Sequence, residues 1–355
     1  MQKMTKCKSV KYISNADITV GVIPEIGGTI VFVSKNGSPN LIKSNPDLWN
    51  VAKKPQVDEN TEFVPYCGHT IWLGPQKDWW IHQELNQERK KSAAEWPPDP
   101  YLYIAEYEVV ENTPSAIRMR GPHSPISGIT VEKEIAVNPD GSVFVQATVI
   151  NTGKQACAWD VWHNTRFDGM CRMSVSVENQ DVKVVPVLND NSTEMPFELI
   201  EGSFSYCPQK PPKYYDERSS KTFIYPSQPE ISVETNGYLF TIYFEKHKKT
   251  EIHPAQGLVE IYNHTEHSEG NDLLEVEYHA PYKTLNVGES MSAWEVWRIE
   301  KQNDMEIKKI MSEEEYQNVL QRIDELMNAK KGTPEYEELQ LLTDMVEDYE
   351  DSQCN

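Results

Sequence analysis

What this sequence lacks narrows it first. Its six cysteines, Cys7, Cys67, Cys157, Cys171, Cys207 and Cys354, nowhere form a CxxC pair. That excludes a zinc ribbon and a disulfide-stapled scaffold, and reduced thiols in a cytoplasmic protein are the plain expectation. No apolar run approaches the roughly 18 residues of a membrane span. The first twenty residues carry basic side chains but no apolar core, so no secretory leader is expected. Positive charge is scarce, with 34 Lys plus Arg against 55 Asp plus Glu and a net charge of -21. A surface of that sign repels phosphate backbones, so neither nucleic acid nor a membrane is an expected partner, whereas a neutral small molecule is.

Aromatic residues are plentiful: 9 Trp, 17 Tyr and 9 Phe, enough to build a large core. Up to about Glu300 the chain alternates like strands. The runs include Asp17 to Ile23, Thr29 to Ser34, Tyr101 to Val110, Gly128 to Val137, Ser142 to Asn151, Tyr238 to Glu245, Leu273 to His279 and Ser290 to Ile299. Turn residues punctuate them, among them Asn36-Gly37, Pro139-Asp140-Gly141 and Asn236-Gly237. Many strands with short polar turns predict a mainly β domain over residues 1–303, a large antiparallel sandwich or barrel. Two long inserts interrupt the pattern, Asn45 to Pro100 and Asn189 to Ser220. Long loops in a compact domain are usually functional or disordered, and the first holds too many tryptophans for disorder.

After about Asn303 the period changes. Tyr316, Val319, Leu320, Ile323, Leu326 and Met327 fall at helical spacing behind a Ser312–Glu315 capping box. Gly332 stops that helix, and Thr333-Pro334 starts another with Tyr336, Leu339, Leu342, Met345, Val346 and Tyr349 on one face. The spacing predicts an amphipathic helical hairpin over 304–355. So short a hairpin must pack on the β domain, on a second copy or on a protein partner.

The segment Thr148 to Gly169 concentrates chemistry. Its second half carries Trp159, Asp160, Trp162, His163, Asn164 and Arg166. Trp159, Val161, His163 and Thr165 share one strand face, and Asp160, Trp162, Asn164 and Arg166 the other. His163 is then either a core histidine or a proton-transfer group. Glu275, Glu277 and His279 share a face of LLEVEYHAP, to flank a ligand, bind a metal or meet solvent. The run CGHTIWLGPQKDWWIH supplies His69, Trp72, Gln76, Trp79 and Trp80, and Trp96 follows. Their rings either stack on a sugar or close the end of the sandwich. His264 and His267 with Glu260 and Glu266 match no strong metal motif, so no metal or other cofactor is expected.

VINTG followed by WHNTRFDG, and LLEVEYHAP followed by NVGES, resemble the galactose mutarotase-like superfamily. GHTIWLGPQKDW and EWPPDP look closest to its DUF4380 branch, the resemblance covering residues 10–300. It implies a β-supersandwich of antiparallel sheets with an open sugar-binding face. It further implies aldose 1-epimerase-like ring opening, with Glu275 as base and His163 as acid. His69, Trp72, Gln76, Trp79, Trp80, Trp96, Asn164, Arg166, Glu277 and His279 would contact a neutral mono- or oligosaccharide. The superfamily's Arg-containing G-R-x-x-N-R run is replaced here by GHTIWLGP, which leaves non-catalytic sugar binding as the alternative. The tail, EEYQNVLQRIDELMNAKKGTPEYEEL, resembles the N-terminal helices of host-inhibition-of-growth antitoxins without their DNA-reading part, implying dimerisation or contact with a protein partner.

Overall fold

The structure is a computed structural model. It describes residues 9–50, 55–185, 197–200, 202–206, 208–268, 270–302, 310, 313–327, 339, 342–343, 345–346 and 349–350. The chain divides into two compact units, Met1–Glu300 and Lys301–Asn355.

Two runs of antiparallel strands build the first unit. One runs, in spatial order, Lys11–Ser14, Ile18–Ile23, Thr29–Lys35, His69–Gly74, Cys157–Asp168, Leu273–His279, Val259–Glu266 and Glu217–Pro226. The other runs Glu108–Asn112, Ala116–Arg120, Ile129–Val137, Val143–Asn151, Ser290–Lys301, Tyr238–Phe244 and Glu230–Thr235. The strand Met173–Val185 belongs to both. Its start pairs with Ser232 and Val233, its end with Lys221 to Ile224.

The two runs lie face to face over one core. In Val143–Asn151 every second residue is buried, the pattern of a strand with one face on a core. Phe167 of the first run meets Phe240 of the second at 5.2 Å between ring centroids, and Tyr278 meets Phe244 at 4.6 Å. The antiparallel sandwich expected from the alternation is the architecture observed.

Local chemistry explains where the elements depart from the sequence reading. Tyr101 to Val110 is not one strand. Asp99 accepts from the Tyr101 backbone N–H at 3.0 Å and, with Pro100 at the first position, starts a short helix, Pro100–Tyr103. The strand begins only at Glu108. The first insert contributes a central strand, His69–Gly74. The chain enters it through Cys67 and Gly68, both at positive φ, and a Cβ on Gly68 would lie 2.2 Å from the Ile30 carbonyl oxygen. The second insert contributes Phe197–Ile200, Ser203–Tyr206 and the start of Glu217–Pro226.

In the second unit, Glu313–Leu326 is helical as its spacing predicts. Ile310, Met345 and Val346 pack with Tyr316, Val319, Leu320, Ile323, Leu342 and Tyr349. Ser312 and the Gly332-Thr333-Pro334 turn lie outside the described residues. No described helix is long and apolar enough to cross a membrane.

Candidate functional site

The strand Cys157–Asp168 sits between His69–Gly74 and Leu273–His279, so both of its edges are paired. Register fixes what meets what. Trp162 lies opposite Trp72 on one side and His279 on the other, Asn164 opposite Thr70 and Glu277, and Arg166 opposite Glu275. Farther along the sheet Glu260 lies opposite Glu277, Tyr262 opposite Glu275, and Lys221 opposite Tyr262. In antiparallel pairs directly opposed residues share a face. One outward face of five strands therefore gathers four tryptophan, tyrosine or phenylalanine rings, two cations and three glutamates.

That face floors a cavity of about 810 Å³. Trp72, Trp162, Tyr262 and Phe223 line it from the sheet, and Phe63, Gln76, Trp96 and Gln256 line it from loops. The Arg166 guanidinium donates from Nε to Glu275 Oε1 at 2.7 Å and from Nη1 to Thr70 Oγ1 at 2.8 Å, and lies 4.8 Å from the Trp72 ring centroid. This single charge-assisted hydrogen bond, from a guanidinium anchored on Thr70 and backed by an aromatic ring, orients the Glu275 carboxyl. Lys221 Nζ bridges Glu260 Oε2 at 2.6 Å and Glu277 Oε2 at 2.8 Å, 5.1 Å from the Trp162 ring centroid. Asn164 Nδ2 donates to the other Glu277 oxygen at 3.2 Å. Below them Asp160 accepts from the Gly74 N–H at 2.8 Å, and His279 lies between Asp160 and Glu260 at 3.5 Å from each.

The electrostatics separate these carboxyls. Burial pushes Glu277 well above the usual carboxylate range; Lys221 opposes that, but the negative charges of Glu275 and Glu260 reinforce it. Burial also pushes Glu260 up, but Lys221 and His279 outweigh it and hold it below its ordinary value. Lys221 is held above its ordinary value because the attraction of Glu260 and Glu277 exceeds the cost of burying it.

Several expected site residues line this cavity: Trp72, Gln76, Trp96, Arg166, Glu275 and Glu277. Asn164 and His279 lie on the same sheet face, buried beneath the lining. Trp79 and Trp80 do not line it. Both are buried, donating to the carbonyl oxygens of Leu73 and of Pro97 at 2.7 Å for Trp80, so their indoles hold the insert in place. His163 and His69 are on the opposite face, inside the sandwich. His163 opposes Ile71 and Tyr278, and its ring is fully buried. The juxtaposition of His163 with Glu275 expected above is thus not made, because residues an odd number apart on a strand point to opposite sides. Asn164 is the residue of that segment that meets the glutamates.

Lys221 was not among the expected residues. It lay at the edge of the second insert, yet Thr222 to Tyr225 is a β-branched and aromatic run closed by Pro226, the signal of a strand. Glu260 was considered only as a metal ligand with His264 and His267. In the structure His264 pairs with Glu266 at 3.2 Å, while Glu260 serves Lys221.

Residues 10–300 match DUF4380, a domain of unknown function. The chain belongs to the DUF4380 family. No curated protein matches it in sequence. In fold it is similar to a candidate aldose 1-epimerase from Escherichia coli K12, with 14% identity, a TM-score of 0.52, and 82% of this chain and 99% of that one covered. A galactose mutarotase-like protein from Lactobacillus casei gives 10% identity, a TM-score of 0.52 and the same coverage. The Slr1438 protein from Synechocystis gives 12%, a TM-score of 0.51, and 82% and 96% coverage. The β-sandwich of this DUF4380 chain is galactose mutarotase-like.

Proposed function

We propose that the cavity binds a neutral mono- or oligosaccharide and that Glu277 and Glu275 interconvert its anomers, in the manner of an aldose 1-epimerase. One observation carries this reading. Trp72 Nε1, Trp162 Nε1, Arg166 Nη2 and Gln256 Oε1 are buried at the cavity without a hydrogen-bond partner among the described residues. Buried polar atoms are otherwise almost always satisfied. Hydroxyl groups held between aromatic walls would satisfy both donors and acceptors, as a pyranose does.

The chemistry follows from the two glutamates on one strand face. Glu277, whose hold on a proton is strengthened by burial and by its acidic neighbours, donates to the ring oxygen. Glu275, fixed by Arg166, accepts the proton of the anomeric hydroxyl. Ring opening, rotation and closure with the roles reversed complete the exchange. His163 has no part in it.

A second reading, sugar binding without turnover, is favoured by one feature. Both Glu277 oxygens are already engaged, by Asn164 and by Lys221. Anomer-exchange NMR on a panel of aldoses separates the readings. Exchange accelerated by the wild type and lost in Glu277→Gln supports the epimerase. Saturable binding with no exchange supports the binding module. Absence of binding to every sugar tried overturns both.

A further inference from the structure

On the other side of the same strands the sandwich holds a second constellation, which plays no part in the cavity. His69 and His163 come from the first run of strands, Glu295 from the second. His69 Nε2 lies 3.2 Å from His163 Nδ1 and 3.6 Å from Glu295 Oε2, and His163 Nδ1 lies 3.8 Å from the same oxygen. All three side chains are buried.

We propose that His69, His163 and Glu295 hold a divalent transition-metal ion that ties the two sheets together inside the core. The triangle of ligand atoms is nearly equilateral, and the point equidistant from its corners lies about 2 Å from each, the length of a zinc bond to imidazole nitrogen or carboxylate oxygen. Two imidazoles and one carboxylate are a ligand set for zinc and its first-row neighbours and not for calcium or magnesium.

The surroundings suit an ion. Trp297 Nε1 donates to Glu295 Oε2 at 2.8 Å, the outer hydrogen bond that orients a metal-binding carboxylate, and the His69 ring has a hydrogen bond to its own backbone carbonyl. Thr165 is the register partner of His69 and lies two residues from His163 on the same strand face. Its hydroxyl is buried without a hydrogen-bond partner among the described residues, and it offers the contact for a water in the fourth position.

A second group with metal-like spacing, Glu260, Glu277 and His279, is a weaker candidate. There the Lys221 ammonium already stands between the two carboxylates.

The core is closed, so the ion would enter as the chain folds. The test therefore uses the full chain, purified without chelator, and refolded with and without Zn²⁺ or Co²⁺. Elemental analysis should find about one ion per chain. Co²⁺-refolded protein should show visible ligand-field bands, and chelation during refolding should lower the melting temperature. His69→Gln and Glu295→Gln should each cut the bound metal at least tenfold. Glu295→Gln keeps an acceptor for Trp297, so it serves where His69→Gln fails to fold. Wild-type protein that is metal-free as isolated and melts at one temperature with or without Zn²⁺ or Co²⁺ overturns the proposal in favour of a hydrogen-bonded triad. Metal retained undiminished by both variants overturns it as well.

Discussion

Asn164 Nδ2 donates to Glu277 Oε1 at 3.2 Å, across the two strands on which the residues are register partners. Lys221 holds the other oxygen of the same carboxyl. The acid proposed for the reaction is thus fixed by two donors from two different strands, and its neighbours set what substitutions will do.

Lys221 bridges two buried carboxyl groups at once. Lys221→Met leaves Glu260 and Glu277 facing each other without a cation, and the loss expected for one partner of a buried ion pair is about 3–5 kcal/mol. Glu260→Gln in the same chain should recover part of it. Urea unfolding of the single and double variants measures both effects; equal midpoints for Lys221→Met and wild type would contradict the bridging role.

Trp96 and Trp80 should behave oppositely. Trp96 is 47% exposed at the cavity, its ring tilted against Phe63 at 4.6 Å between centroids, whereas Trp80 is sealed in the core. Trp96→Ala should weaken sugar binding about tenfold, roughly 1.4 kcal/mol, with little change in melting temperature. Trp80→Ala should cost about 3–5 kcal/mol of stability. Titration and thermal melting of the two variants in parallel are sufficient.

Gly74 has no room for a side chain. A Cβ there would lie 2.2 Å from Gln256 Nε2 and 2.5 Å from Asp160 Oδ1. Gly74→Ala should displace Gln256, a cavity-lining residue, at a cost of about 1–3 kcal/mol. Affinity and stability are expected to fall together, which distinguishes this variant from Trp96→Ala.

Lys133 makes a prediction about pH. Burial moves its ammonium from 10.5 to about 7, so the folded protein releases a proton that the unfolded chain keeps up to its ordinary value. The sign follows: this group's contribution to stability rises with pH between about 7 and 10.5 and falls away as pH drops toward 7. In that window the slope approaches about 1.4 kcal/mol per pH unit. Lys133→Met should remove this share of the slope. Chemical unfolding of both proteins from pH 7 to 9.5 measures the difference; parallel curves would refute it.

The sandwich was legible because alternation and turn residues are local signals. Val143 to Asn151 announces itself without its partners. The faces of Cys157–Asp168 were legible for the same reason, and so was the shared face of Glu275 and Glu277. What the sequence could not supply was register between strands far apart in the chain. Arg166 and Glu275 are over a hundred positions apart, and no local pattern says whether Glu275 meets Arg166 or His163. The imidazole drew attention because of its reactivity, and parity then placed it in the core. Trp80 misled in a similar way, since an indole whose N–H finds a carbonyl is as good a core residue as a ligand platform. Lys221 was hidden because a proline-rich stretch precedes its strand and blurred the boundary.

The two-sided strand also limits how this protein can vary. From Asp160 to Arg166, even positions face the cavity and odd positions face the sandwich interior, so each residue can be exchanged on its own account. Length cannot. One residue added or removed there would hand the cavity's tryptophan, amide and guanidinium to the core and turn His163 outward. Insertions are tolerable instead in the turn before it, Thr152 to Gln155, where the chain is largely exposed. Relatives that bind different molecules should therefore differ by substitution along this strand and by length only at that turn.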